Sequence, residues 1–277
     1  MSTLILRFLA AVLGLLLALY CSAALANGPA SRFQIKIPTA EQEAAYLWQN
    51  LNATAFFEKN GYSVSYPDGA FFQTLIAKAR GNALTPADNQ ALVRHMQRNI
   101  YRRSDYQTAH RQIVGVLNQL TAMLEQLEAT RYRWGFASHA RYSITLTLYG
   151  PGGSYDPETG SIRIFATADG RFKQYQNPLN TLIHEVVHMG IEASIVERLG
   201  VPHGLKERIV DNLVLRHFGH QLMDYSVQPM GDATIDDALS TLEALHQLPD
   251  HVQAVLDRSP KAARAAKTRS ISTNRRC

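Results

Sequence analysis

Residues 177 to 200 restrict the fold of this chain more than any other stretch. Asn177 is a residue type that caps helices, Pro178 suits the first turn and Gly200 suits the stop. Inside this predicted helix lies His184-Glu185-Val186-Val187-His188. Residues four apart share one helix face, about 6 Å apart along the axis. Two imidazoles so placed can address one metal ion. Glu185 lies about 100° round from His184, so its carboxylate falls beside the metal position and not on it. Leu182, Ile183, Val186 and Val187 give the helix an apolar side that needs a core.

A catalytic zinc usually takes three protein ligands and keeps one position open. Glu192 lies on the same helix but eight residues beyond His184, about 12 Å of rise, which is too far for the same tetrahedron. It reads as a helix salt bridge or a group supporting the ligands from outside. Glu207 is better placed. Gly200-Val201-Pro202 lets the chain reverse, and a second helix from Pro202-His203 to about Phe218 brings Glu207 back over the first. Asp211 falls one turn later on the same face. It can accept the second N–H of a ligating imidazole. His203 reads as a residue of the helix start.

His184-Glu185-x-x-His188, then eighteen residues, then Glu207 with Asp211 four later, resembles the gluzincin group of metallopeptidases. The Glu207–Asp211 pairing is similar to the second helix of thermolysin-like enzymes. The resemblance covers about residues 140 to 220. It implies one Zn2+ per chain on His184, His188 and Glu207, with Glu185 as catalytic base and a peptide or protein as substrate. It also implies an edge strand that aligns the substrate. The metzincin pattern is absent, because Ile191 and Ser194 stand where that group has Gly and His. The group's Tyr or His that stabilises the oxyanion has no matching motif here. His217, His220 and Tyr225 are candidates by position, and each also reads as structural.

The rest of the chain organises around these helices. Residues 27 to 40 read as an extended lead-in. Residues 41 to 134 read as helical. Ala44, Leu47, Trp48, Leu51 and Ala55 recur at helical spacing, and Phe71, Phe72, Leu75, Ile76 and Ala79 follow Asp68 as a cap. Thr85-Pro86 opens a third helix with Leu92, Met96 and Ile100 on its apolar face. A fourth runs from about Ser104 to Tyr132. Near Arg141 the period changes to two. Tyr142, Ile144, Leu146 and Leu148 alternate with polar residues, and Ser161 to Thr167 supplies a second strand. Asp156 to Gly160 is turn chemistry, so the two runs are expected to pair antiparallel. Helical patterns return at about 234 to 247 and 249 to 257. The expected fold is therefore α+β, mostly helical, with a small antiparallel sheet before the active-site helix pair. Its parts are a leader (1–26), a helical N-terminal region (27–140), the metallopeptidase-like region (141–257) and a basic tail (258–277).

Composition matters at the two ends. Arg7 precedes an apolar run from Phe8 to Tyr20, and Ala24-Leu25-Ala26 fits a cleavage site, the layout of a secretory signal peptide. Export to a periplasm or exterior is expected, with cleavage near Ala26. The alternative is an N-terminal membrane anchor, since 19 mostly apolar residues can span a bilayer. Cleavage would remove Cys21 and leave Cys277 alone, without an intramolecular disulfide. The net charge of +5 belongs to the tail: residues 258 to 277 hold seven basic and no acidic side chains, whereas 27 to 257 carry a net of −3. Such a tail reads as solvated, or as a weak contact with anionic surfaces. Nothing in the body suggests specific nucleic-acid binding. Two other functional classes stay open: a zinc-binding envelope binding or assembly protein that does not cleave, and a helical interaction protein bearing the motif by accident. A structural zinc has no use for Glu185, which weighs against the first. No pocket for a free terminus can be read, so endo- and exopeptidase stay open, as does the oligomeric state.

Overall fold

A computed structural model describes residues 32–172 and 177–258. The leader, the tail from 259 and both cysteines lie outside the described residues. The chain is α+β and mostly helical. Strand β1 (Phe33–Lys36) lies in the segment read as an extended lead-in. Helix α1 (Ala40–Asn52) then starts on a capping box, in which Thr39 accepts from the Gln42 N–H and Gln42 accepts from the Thr39 N–H. Its buried positions, Ala40, Glu43, Ala44, Leu47 and Leu51, recur at helical spacing. A short helix α2 (Thr54–Lys59) follows, then α3 (Ala70–Arg80) and α4 (Pro86–His95). Thr85 caps α4 as its sequence suggests, with Asp88 completing the box. Asp68 does not cap α3. Gly69 holds the cap position at φ +116°, a conformation open to glycine at little cost, and the helix has no side-chain cap.

The long helix α5 (Gln107–Thr130) buries Ile113, Leu120, Met123, Leu124 and Leu127. Strands β2 (Tyr142–Thr147), β3 (Ser154–Asp156) and β4 (Ser161–Phe165) follow. The sheet order is β1-β2-β4-β3. The expected antiparallel pairing of the two longer runs is not found: β2 and β4 are parallel, with Ile144 opposite Ile162 and Leu146 opposite Ile164. The turn at 156–160 does make a hairpin, but its first strand is β3, which pairs antiparallel with β4. The Gly150–Gly153 loop carries the chain out to β3, and the hairpin folds β4 back between β3 and β2. The sheet is therefore mixed, and β3 is its edge facing the helix pair.

Helix α6 (Pro178–Ile191) is buried along all fourteen residues, as befits a helix that is largely apolar all round. Asn177 caps it, accepting from the Leu179 N–H at 3.0 Å. A π-type stretch (Glu192–Glu197) continues it. Gly200, at φ +64°, turns the chain into α7 (His203–Phe218). Three short helices close the described chain: α8 (Thr234–Ala238), α9 (Leu242–Leu245) and α10 (Leu248–Arg258).

Two cores result. The larger joins β1, the sheet, α5, α6, α7 and the last helices around Phe33, Leu120, Ile144, Ile183, Val187 and Val210. The smaller joins α1, α3 and α4 around Leu47, Leu51, Phe72, Leu75, Leu92 and Met96. In the larger core, β1 and α5 pack with the sheet and α6. Glu43 ties the two cores together. Its buried carboxylate accepts from Tyr106 Oη (3.0 Å), Thr147 Oγ1 (2.9 Å) and the Leu148 N–H (2.9 Å).

Candidate metal centre

Helix geometry and the Gly200 reversal bring three side chains to one point. His184 Nε2 and His188 Nε2 lie 3.0 Å apart, and Glu207 Oε2 lies 3.3 Å and 3.1 Å from them. All three residues are buried. Zinc bonds of about 2.0–2.2 Å give tetrahedral ligand–ligand edges of about 3.3–3.6 Å. The triangle is only slightly tighter than that, so the residues fit a small divalent cation. Their protonation argues the same way. Burial alone would strip the charge from His184, but hydrogen bonds to Asp211 and Glu207 outweigh it and raise its pKa to about 10. Burial and the neighbouring positive His184 lower His188 to about 4. Burial works against an ionised Glu207, yet the two imidazoles hold it well below the usual carboxylate range. The carboxylates of Glu207 and Asp211 thus favour positive charge at this point.

The outer contacts fix the ligands' aim. Asp211 is completely buried, and its Oδ1 lies 3.2 Å from His184 Nδ1. The Tyr225 hydroxyl donates to the same Oδ1 at 2.8 Å, and its oxygen lies 2.7 Å from His184 Nδ1. The Gln228 N–H donates to Asp211 Oδ2 at 2.7 Å. On the other imidazole, Tyr155 of β3 stacks on His188 with ring centres 4.8 Å apart and planes 12° apart. Its hydroxyl donates to Glu192 Oε2 at 2.5 Å and accepts from Lys206 Nζ at 2.8 Å. Glu192 lies at the wall of the pocket and outside the triangle, as its eight-residue separation from His184 along the helix leads one to expect.

Glu185 sits beside the three ligand groups. Burial pushes its carboxyl up to about 7, partly offset by the positive charge on His184. Gly153 lies against it so closely that a Cβ there would meet Glu185 Oε1 at 2.0 Å. All four groups open into one pocket of about 420 Å³. It is lined by Gly153, Ser154 and Tyr155 at the sheet edge, by Phe56 and Phe57 of α2, by Tyr62 of the loop after α2 and by His203 of α7.

The three positional candidates for an oxyanion donor do not line that pocket. His217 is buried with its Nε2 2.5 Å from Tyr132 Oη. His220 is exposed beside Gln221. Tyr225 stands behind His184. His203, read as a helix-start residue, does begin α7, but it also faces the pocket and pairs through Nε2 with Tyr62 Oη. Sequence reasoning missed Tyr62, Gly153, Tyr155 and Gln228 as neighbours of the centre. Each lies in a loop, or in a strand too short to show a period. No family model matches the chain, and neither a curated protein nor a solved structure matches it.

Proposed function

We propose that the chain is a zinc-dependent metallopeptidase that hydrolyses peptide bonds with Glu185 as general base. The observation that carries this reading is a second buried carboxylate, Glu185, that is not part of the His184–His188–Glu207 triangle yet shares its pocket. Closed structural zinc sites use four protein ligands and need no base. Here three ligand groups line an open cavity of about 420 Å³.

His184, His188 and Glu207 would hold the metal. Bound zinc supplies Lewis acidity, which polarises a carbonyl and makes water acidic enough to lose a proton near neutral pH. Glu185 takes the proton from the attacking water and delivers it to the leaving amine. Asp211 and Tyr225 hold the His184 ring so that Nε2 faces the centre, and Tyr155 does the same for His188 by stacking. Tyr62, paired with His203, is the donor we assign to the negative charge that develops on the carbonyl oxygen. It takes that role in place of His217, His220 and Tyr225.

The test is metal analysis and peptide cleavage on the same preparations. Wild type and Glu185→Gln should each carry one zinc per chain after loading and desalting, and Glu207→Ala should not. Only wild type should cleave a library of capped peptides. Absence of stoichiometric zinc from wild type would refute the reading, as would cleavage by Glu185→Gln at the wild-type rate.

A further inference from the structure

Phe56, Phe57 and Tyr62 of the N-terminal half line the pocket together with His203 of α7, and their chemistry differs from the rest of the lining. Among the described residues, Phe56 is one of four large hydrophobic side chains left exposed, at 49 %. It is the one of the four that lines the pocket of the candidate metal centre. Its ring lies 6.3 Å from Tyr62 at an interplanar angle of 20° and 6.0 Å from His203 at 66°. Phe57 meets Tyr62 edge-on at 6.2 Å, and Tyr62 lies 5.6 Å from His203. These four rings make a continuous aromatic surface beside Glu207. The charged pocket residues Glu185, Glu192, Lys206 and Glu207 all come from α6, α7 and the π-type stretch between them. An exposed Phe on a monomer's surface is ordinary by itself. One that extends an aromatic wall inside a cleft leaves apolar area uncovered where a ligand side chain can cover it.

We infer that the aromatic wall of Phe56, Phe57, Tyr62 and His203 is the specificity-determining surface of the site, and that it selects peptides with a bulky apolar or aromatic side chain next to the scissile bond. This rests on the peptidase reading above and adds a substrate class to it. It also divides the labour: α6 and α7 supply the metal groups and the base, Tyr62 keeps its part in the reaction, and Phe56 and Phe57 of the short helix α2 meet the substrate side chain. Aromatic side chains stack or meet edge-on with such surfaces at ring separations of 4.5–7 Å, the range of separations already present within the wall. A pocket that distinguishes apolar side chains by size separates them by about 10- to 200-fold. An open wall falls at the lower end of that range.

The experiment uses zinc-loaded protein and a series of hexapeptides capped at both ends, alanine throughout except for one Phe, Leu or Ala at each position in turn. Wild type should cleave the best Phe or Leu peptide with kcat/KM about tenfold or more above the all-Ala peptide. In Phe56→Ala that ratio should fall toward one while zinc content and thermal midpoint stay as in wild type. A Phe56→Trp variant should keep the ratio. Binding of the same peptides to zinc-loaded Glu185→Gln, read by calorimetry, gives the preference without turnover. If that variant binds Phe peptides tighter than all-Ala but wild type cleaves neither, the aromatic subsite stands and peptide hydrolysis falls. If wild type cleaves all the peptides equally well, or Phe56→Ala keeps the tenfold ratio, hydrolysis stands and the subsite is overturned. Equal binding of every peptide together with no cleavage overturns both.

Discussion

Gly153→Ala tests the placement of the general base without touching a charged group. Gly153 does not need glycine's backbone freedom, since it is not among the glycines with positive φ. Its hydrogen side chain is required by space instead. A Cβ there would fall 2.0 Å from Glu185 Oε1, 2.9 Å from Thr181 Cγ2 and 3.0 Å from Glu185 Cδ. Ordinary contact begins near 3.4 Å, so the carboxylate must retreat by roughly 1.4 Å, in line with the contact distances of packed atoms. Glu185 is only 5 % exposed but lines the pocket, so a retreat of this size moves its carboxylate relative to the three ligand groups. Misplacing a reacting group by about 1 Å costs about 100-fold in rate. The metal triangle is not touched. Gly153→Ala should therefore lose about 100-fold in kcat, hold one zinc per chain, and lose about 1–3 kcal/mol of stability through overpacking. Single-turnover cleavage of a capped peptide, metal analysis and urea unfolding read the three quantities. A variant with wild-type kcat would show that the Glu185 carboxylate does not act from the position beside Gly153. A variant that lost zinc would show that the glycine supports the ligands and not the base.

Other perturbations probe the rest of the centre and the core behind it. Asp211→Ala should weaken zinc binding about 10- to 100-fold, because His184 loses the acceptor that orients it; competition with a chelator measures this, and an unchanged affinity rules the role out. Adding zinc at about 1,000 times its Kd should raise unfolding stability by about 4 kcal/mol, and the gain should vanish in Glu207→Ala. Burial raises the Glu43 pKa against three hydrogen bonds and the nearby Arg163 charge. Its protonated form is therefore favoured by folding, so its contribution is full below the unfolded carboxyl pKa and is lost as pH rises through the folded value. Glu43→Gln keeps an oxygen acceptor and does not titrate, so its thermal midpoint should gain on wild type as pH rises from 4 toward neutrality. A gap that stays constant over that range would contradict the shift. Glu43→Leu should instead destabilise at every pH, each abandoned donor costing about 1–3 kcal/mol.

The gathering of His184, His188 and Glu207 was legible in the sequence for a geometric reason. A helix fixes the relation of His184 to His188, its boundaries carry residue-specific signals at Asn177, Pro178 and Gly200, and a reversal after Gly200 leaves Glu207 within reach. The α+β class was legible from the change of period near Arg141. The strand pairing was not. Asp156–Gly160 announces a hairpin but not which run is its first strand, and three-residue β3 is too short to alternate visibly. The parallel β2–β4 pair follows from that one hidden strand. The pocket's aromatic lining was also hidden, because Phe56 and Tyr62 meet His203 across about 140 residues and nothing in local spacing encodes that return. The position of Tyr225 in the chain suggests a donor to substrate, whereas the fold turns it behind His184, onto Asp211.

Tyr155 shows how a hidden residue can bind the legible ones into one site. The helical rise that excludes Glu192 from the metal triangle does not remove it from the pocket. The π-type stretch begins at Glu192, a feature frequent at functional positions because it locally re-aims side chains. Glu192 there accepts the Tyr155 hydroxyl, while the Tyr155 ring lies flat on His188. Lys206, the residue before Glu207, donates to the same hydroxyl. One side chain on the sheet edge thus touches the second ligand directly and, through its two hydroxyl partners, the end of α6 and the first turns of α7. The spacing of β3 from the helices is set by these contacts. The same strand begins one residue after Gly153, whose closeness to Glu185 leaves no room even for a methyl group. The edge strand therefore packs against both Glu185, the proposed base, and His188, a candidate ligand, so the separation of Glu185 from the His184–His188–Glu207 triangle is set by tertiary packing and not by the five-residue motif alone.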